Sequence, residues 1–344
     1  MSGDFSLRVV AWQREHGRHD LPWQGTRDAY RIWLSEVMLQ QTQVATVLPY
    51  FERFMARFPT VRDLAAASEE EVMRLWSGLG YYARARNLHA AAKRVVEAHG
   101  GDFPAGFHTL VELPGIGRST AAAIAAFASG ERRAILDGNV RRVLARHAGV
   151  EGDPTSAAVQ STLWALAEAR LPDEAIEAYT QGMMDLGAGV CTTRNPACLL
   201  CPVAGDCVAR LDDRIAGLPG KRVRRASPRR KVAMLVVLAR GEVLLEKRPP
   251  KGIWGGLWSL PEAAVDADVA TEVSARYGIR DGSLDALPPF EHAFTHFTLE
   301  VSPWRITPRK TPVLPAGASW LALTDVNGAA LPSPVKALLK KLGT

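Results

Sequence analysis

Cysteine is almost absent from this chain of 344 residues: it occurs four times, and every copy falls between Cys191 and Cys207. Long apolar runs are missing too. The longest candidates are short stretches such as VAMLVVLA, well below the length that spans a bilayer, so no helical membrane anchor is expected. The opening residues, MSGDFSLRVVAWQREHGRHD, hold no basic segment followed by an apolar one, which argues against a secretory signal and for a cytoplasmic location. Thiols stay reduced there, so two disulfides become the weakest explanation of the cysteines. Internal repeats are absent, as is low complexity beyond alanine-rich helices.

What is present suits two globular domains. Hydrophobic residues make up 47% and charged residues 23%, and the net charge of +6 suits a polyanion such as nucleic acid as partner, though many basic proteins bind none. Apolar residues recur at helical spacing through RIWLSEVMLQQ, EEEVMRLWSGLG, NLHAAAKRVVEAHG, STAAAIAAFASG and NVRRVLARHAG, so residues 1–212 are expected to be all-α. A basic linker rich in Pro and Gly follows at 213–231. The period then changes. VAMLVVLA, a turn at Arg240-Gly241 and EVLLEKR read as a hairpin, and FTHFTLEVSPWRI alternates, so 232–344 is expected to be α+β.

The cysteine spacing, Cys191-x6-Cys198-x2-Cys201-x5-Cys207, puts one close pair between two medium arms. A structural zinc site usually shows two close pairs on a longer arm, whereas all-cysteine ligation is also what four-iron clusters use, and spacing alone leaves both open. At the end of a helical domain, this loop (191–207) resembles the cluster loop of the endonuclease III superfamily of DNA glycosylases. That resemblance implies a 4Fe-4S cluster on Cys191, Cys198, Cys201 and Cys207.

Upstream lies VELPGIGRSTAAAIAAFA, residues 111–128. Gly115 and Gly117 imitate a dinucleotide-binding turn, and Asp137 stands where a ribose-binding acid would. No strand precedes them, however, and Thr120 occupies the third glycine position. A helix-hairpin-helix fits better. Pro114 ends one helix, the glycines allow a positive-φ turn, and the N–H groups opening the Arg118-Ser119 helix can hold a DNA phosphate.

Two carboxylates stand out. Asp137 precedes a helical pattern, where an aspartate ordinarily serves as N-cap; the resemblance to helix-hairpin-helix glycosylases implies a catalytic aspartate at this distance after the hairpin, and a cap is compatible with that, since it fixes a charge that can stabilise a sugar cation. On a helix, Glu36 shares its face with Ile32, Trp33 and Leu39, so poor solvation should raise its pKa toward that of a general acid. WLSEVMLQQTQVATVLPYF, LWSGLGYYARARNL, LPGIGRST, ILDGNVRRVLAR, MMDLGA and the cysteine loop, in this order, closely resemble the MutY family of adenine DNA glycosylases across about residues 8–210.

The resemblance implies a glycosylase acting on duplex DNA that flips adenine, mispaired with 8-oxoguanine or guanine, and cuts it from its sugar. Glu36 would protonate the base and Asp137 stabilise the oxocarbenium-like ion, with Asn139 in their hydrogen-bond network. Leu21 and Trp23 would line the adenine pocket; Gln40 and Tyr81 would enter the stack at the lesion. Bifunctional superfamily members carry a Schiff-base lysine where this chain has Ser119, which implies a monofunctional enzyme. Departures are Arg141 where the family often has lysine, a single basic residue, Arg194, on the arm after Cys191, and His19 where some relatives carry arginine.

Residues 232–344 resemble a Nudix module, with EVLLEKRPPKGIWGGLWSLPE as its opening. A working hydrolase needs clustered glutamates for magnesium, and ADVATEVSARYGI offers only Glu272, so binding rather than hydrolysis is expected. By resemblance the module reads 8-oxoguanine through a Phe-Ser-His loop, here Phe294-Thr295-His296. Rival readings are an endonuclease III type enzyme for oxidised pyrimidines, a nucleotide-pool hydrolase, and a non-enzymatic iron–sulfur regulator. The protein is expected to work as a monomer.

Overall fold

The computed structural model describes residues 2–221, 227–294 and 296–343. The chain forms two compact units, one made of Met1–Ala66 and Asn87–Val223, the other of Ala67–Arg86 and Arg224–Thr344. The helical segment Ala67–Arg86 thus groups with residues far downstream rather than with the helices that flank it in sequence, a grouping that periodicity could not reveal.

The first unit is helical, with no strand among its described residues. Its helices Ser2–His16, Arg118–Ser129, Gly138–Ala148, Ala157–Ala169 and Ile176–Asp185 share one core, built from residues such as Phe5, Val9, Ala122, Leu144, Leu163 and Met183. Sequence explains the local boundaries. Helix Ala29–Leu39 starts where the Asp28 side chain accepts from the Tyr30 and Arg31 N–H groups, and Asp137 caps Gly138–Ala148 in the same way through Asn139 and Val140. Among the described residues no helix is long and apolar enough to cross a membrane.

The second unit holds an eight-stranded mixed sheet. Strand β1 (Arg229–Ala239) pairs antiparallel with β2 (Glu242–Lys247), and their turn places Arg240 at φ 51° and Gly241 at φ 80°. Both central residues in the left-handed region match the primed turn that suits twisted hairpins, as the sequence predicts. Strands β3 (Trp258–Ser259) and β8 (Ala318–Ala322) pair with β2, and β4 (Glu262–Ala263) with β1. On the other side β1 runs parallel to β7 (Thr298–Pro308), which also pairs with β5 (Gly282–Ala286) and β6 (Phe290–Ala293).

Ala67–Arg86 is anchored inside this second unit. The Tyr82 hydroxyl donates to the Leu331 carbonyl at 3.3 Å, Lys336 donates to Ser77 Oγ at 3.0 Å, and the Trp258 indole N–H donates to Glu70 at 3.0 Å.

Candidate active site and cysteine loop

Helix Ala29–Leu39 turns Ile32, Glu36 and Leu39 toward one cavity of about 640 Å³. The cavity is also lined by Leu21, Trp23 and His19, so three of the residues expected to act together do converge here. Trp33 does not join them: it is fully buried and its ring lies 4.7 Å from that of Phe103, a core contact. The helical face is narrower than the apolar pattern suggested, because position 33 rotates away from positions 32, 36 and 39.

Glu36 is hemmed in by protein but keeps some surface on the cavity. Burial pushes its carboxyl up to about 8, and repulsion from Asp137 acts in the same direction. Among the described residues no cation pairs with it, whereas the other carboxylate of this cavity, Glu177, is paired with Arg27 at 2.5 Å.

Asp137 is raised by burial and lowered by the Val140 and Asn139 N–H groups and by Arg142 and Arg141, with a net rise. The cap is tight: Oδ1 accepts from Asn139 at 2.7 Å and Val140 at 2.8 Å. Ser119 supports the approach to it, since its Oγ accepts the Leu136 N–H at 2.9 Å. A lysine there could not accept that bond. Asn139 Oδ1 accepts from Arg142, which also donates to the carbonyls of Gly187 and Cys191.

The helix-hairpin-helix reading needs one refinement. Gly115 has φ +79° and a side chain there would meet Asn87, so this position requires glycine. Gly117, at φ −87°, is extended backbone and needs no special freedom; it caps helix Arg118–Ser129, whose first amides have no side-chain cap. The Arg118 side chain is taken by Glu168 and lies 3.8 Å from the Trp164 ring, so the backbone rather than this guanidinium is what the turn presents. Gln40 donates to Thr120 Oγ1 at 3.2 Å.

The four cysteines are free and half-buried, and they act on one another. Burial first, then the sulfurs of Cys191, Cys207 and Cys198, push the Cys201 thiol up to about 11; Cys207 is raised by burial and by Cys191 and Cys198. Among the described residues no three His, Cys, Asp or Glu side chains are drawn tightly enough to hold a single metal ion. Four half-buried thiols in one loop, near enough to raise one another's pKa, make an all-sulfur donor set, the chemistry that a multi-iron group takes. Arg146 braces the loop from helix Gly138–Ala148, donating to the Thr192 and Thr193 carbonyls and to Cys191 Sγ at 3.4 Å.

In the second unit Phe294 and His296 lie on the connection between β6 and β7, closed by Phe294 N–H to the Phe297 carbonyl at 2.8 Å. Thr295 lies outside the described residues. Tyr81 stands half exposed at φ 48°. Sequence reasoning missed Gln181, Asp185 and Arg18: Asp185 accepts from the Arg18 backbone and guanidinium and from Gln181, fixing the chain that enters the cavity at Leu21. The motif MMDLGA held the signal, an acid in an otherwise apolar run.

Comparison with known proteins agrees with this architecture. Residues 34–184 match the family described as HhH-GPD superfamily base excision DNA repair protein, and residues 232–341 match the NUDIX domain. The adenine DNA glycosylase of Buchnera aphidicola subsp. Schizaphis graminum is 34% identical over 98% of both chains, and that of Homo sapiens is 34% identical over 98% of this chain and 73% of its own. The solved structure of a thermostable thymine-DNA glycosylase superposes with a TM-score of 0.55 at 28% identity, covering 60% of this chain and 95% of its own. The chain belongs to the adenine DNA glycosylase family, a DNA glycosylase of the helix-hairpin-helix base excision repair superfamily with a C-terminal Nudix-type domain.

Proposed function

We propose that the chain excises adenine from duplex DNA in which it faces 8-oxoguanine or guanine, leaving the strand intact. The observation that carries this reading is Glu36: a carboxyl raised by burial to about 8, facing a cavity shared with Leu21 and Trp23, favours its protonated form near neutral pH. Adenine leaves poorly until a ring nitrogen is protonated, and a protonated carboxyl facing the cavity can supply that proton. Asp137, close enough to act on Glu36, then faces the developing sugar cation with a charge held in place by its own cap. Asn139 and Arg142 keep that cap oriented, and water completes the hydrolysis.

Ser119 offers no amine for a Schiff base, and Arg141, always protonated, cannot replace it. The amides opening helix Arg118–Ser129 hold a phosphate, which places the duplex without reading it. Cys191, Cys198, Cys201 and Cys207 are the ligands of a 4Fe-4S cluster, which when bound would cross-link the two ends of their loop. The C-terminal domain reads the base opposite adenine through Phe294, Thr295 and His296, and Tyr81 and Gln40 enter the stack beside it.

The test is the pH dependence of single-turnover adenine release from a duplex pairing adenine with 8-oxoguanine. The rate should fall as pH rises through about 8, where Glu36 loses its proton. A flat profile to pH 10 would place the acid elsewhere.

A further inference from the structure

Two bulky residues of the second unit sit in the left-handed backbone region that such side chains avoid: Tyr81 at φ 48° and Trp254 at φ 54°. Strain of this kind persists only where the surroundings enforce it, and it collects at functional sites. Tyr81 is half exposed, and the Arg84 guanidinium lies 5.5 Å from its ring while Arg84 also donates to the Gly80 carbonyl. Trp254 is only 7% exposed. Its ring centroid lies 5.5 Å from Phe294 and 6.0 Å from His292, and Phe294 is in turn edge-on to His292 at 4.7 Å and stacked on Phe297 at 4.5 Å. The indole is therefore a wall of the cluster that holds both ends of the β6–β7 connection.

A hydrogen bond links the two segments that carry the strained residues. Arg86, five positions beyond Tyr81, donates to the carbonyl of Gly255, next to Trp254, at 2.6 Å. The loop it grips is stiff. Gly256 N–H bonds the Pro249 carbonyl at 3.1 Å, Leu257 N–H bonds the Trp254 carbonyl at 3.1 Å, and a side chain on Gly255 would collide with the Pro250 carbonyl.

We infer that Trp254 and Arg86 are positioning residues for lesion discrimination: Trp254 sets the Phe294–Phe297 turn, and Arg86 ties it to the turn carrying Tyr81. The two contacts to the base opposite adenine are then presented as one rigid assembly rather than as separate loops. This rests on the reading above that Phe294 and its neighbours face that base.

Single-turnover adenine release is measured on duplexes with 8-oxoguanine and with guanine opposite adenine, in the full-length protein. Trp254→Ala should lower the preference for 8-oxoguanine about tenfold, Trp254→Phe should restore most of it, and Arg86→Met should lose several-fold. Because one assembly is disrupted in each case, the Trp254→Ala, Arg86→Met double variant should be no worse than Trp254→Ala alone, where independent sites would multiply. Phe294→Ala separates the two claims. If it leaves the preference intact, the reading of the turn fails; if it abolishes the preference while Trp254→Ala and Arg86→Met leave it intact, only the positioning inference fails. Should Trp254→Ala prove unfolded by near-ultraviolet circular dichroism, Arg86→Met and Trp254→Phe decide: a preference unchanged in Arg86→Met overturns the inference.

Discussion

Glu36 in the helical unit and Glu246 in the sheet unit are two partly enclosed glutamates with opposite surroundings. Glu36 has Ile32 and Leu39 on its face, a carboxylate near enough to repel it and no paired cation among the described residues, and its carboxyl rises to about 8. Both carboxylate oxygens of Glu246 accept from Arg276 Nη2, at 2.7 and 2.6 Å, and Oε1 also accepts from the Tyr277 hydroxyl at 2.6 Å. The first is left holding a proton it can deliver. The second is spent on tying β2 to helix Val269–Tyr277. The same side chain becomes reagent or fastener according to whether a cation stands beside it.

The largest effect should come from Glu36→Gln. Base release in single turnover should drop by several orders of magnitude, while binding to a lesion duplex stays near normal. The substitution removes proton transfer but leaves in place the phosphate contacts proposed for the amides of helix Arg118–Ser129. Turnover within a few-fold of normal would dissolve the contrast with Glu246.

A smaller loss is expected at the reading turn. Thr295→Val keeps the shape and removes the hydroxyl; losing the hydrogen bond proposed here to the oxidised base should cost roughly 1–3 kcal/mol, or about one to two decades of discrimination against guanine. Equal preference in both proteins, again by single-turnover kinetics on the two duplexes, would remove the hydroxyl from the reading. Cutting the chain at the linker is the cruder experiment, because it would strip Ala67–Arg86 of Leu331, Lys336 and Trp258 as well as the reader.

That last point marks where sequence stopped being informative. The all-helical first part, the Arg240-Gly241 hairpin and the pairing of Glu36 with Leu21 and Trp23 were legible, because periodicity, turn chemistry and family motifs are local or ordered along the chain. The grouping of Ala67–Arg86 with residues far downstream was not, since it depends on single polar contacts to backbone carbonyls such as that of Leu331. Ser119 was legible as the absence of a lysine, yet its acceptor role toward Leu136 appears only in three dimensions.

The smallest effects separate the two glutamates by stability. A carboxyl whose folded pKa is raised binds a proton more tightly in the folded state than in the unfolded one, so folding stability drains away as pH rises from the ordinary carboxylate range, about 4.5, toward about 8. Glutamine carries no charge at either end of that window. Glu36→Gln should therefore match the parent protein in thermal unfolding near pH 5 and exceed it by a few degrees near pH 8. Glu246→Gln should do the reverse of a gain: it keeps the size but leaves Arg276 half-buried without its counter-charge, and should lower the midpoint by a few degrees at pH 8 with adenine release untouched. If the two variants shift the midpoint alike at pH 8, the difference drawn between a proton-holding and an ion-paired glutamate is wrong, whatever the activity of Glu36→Gln.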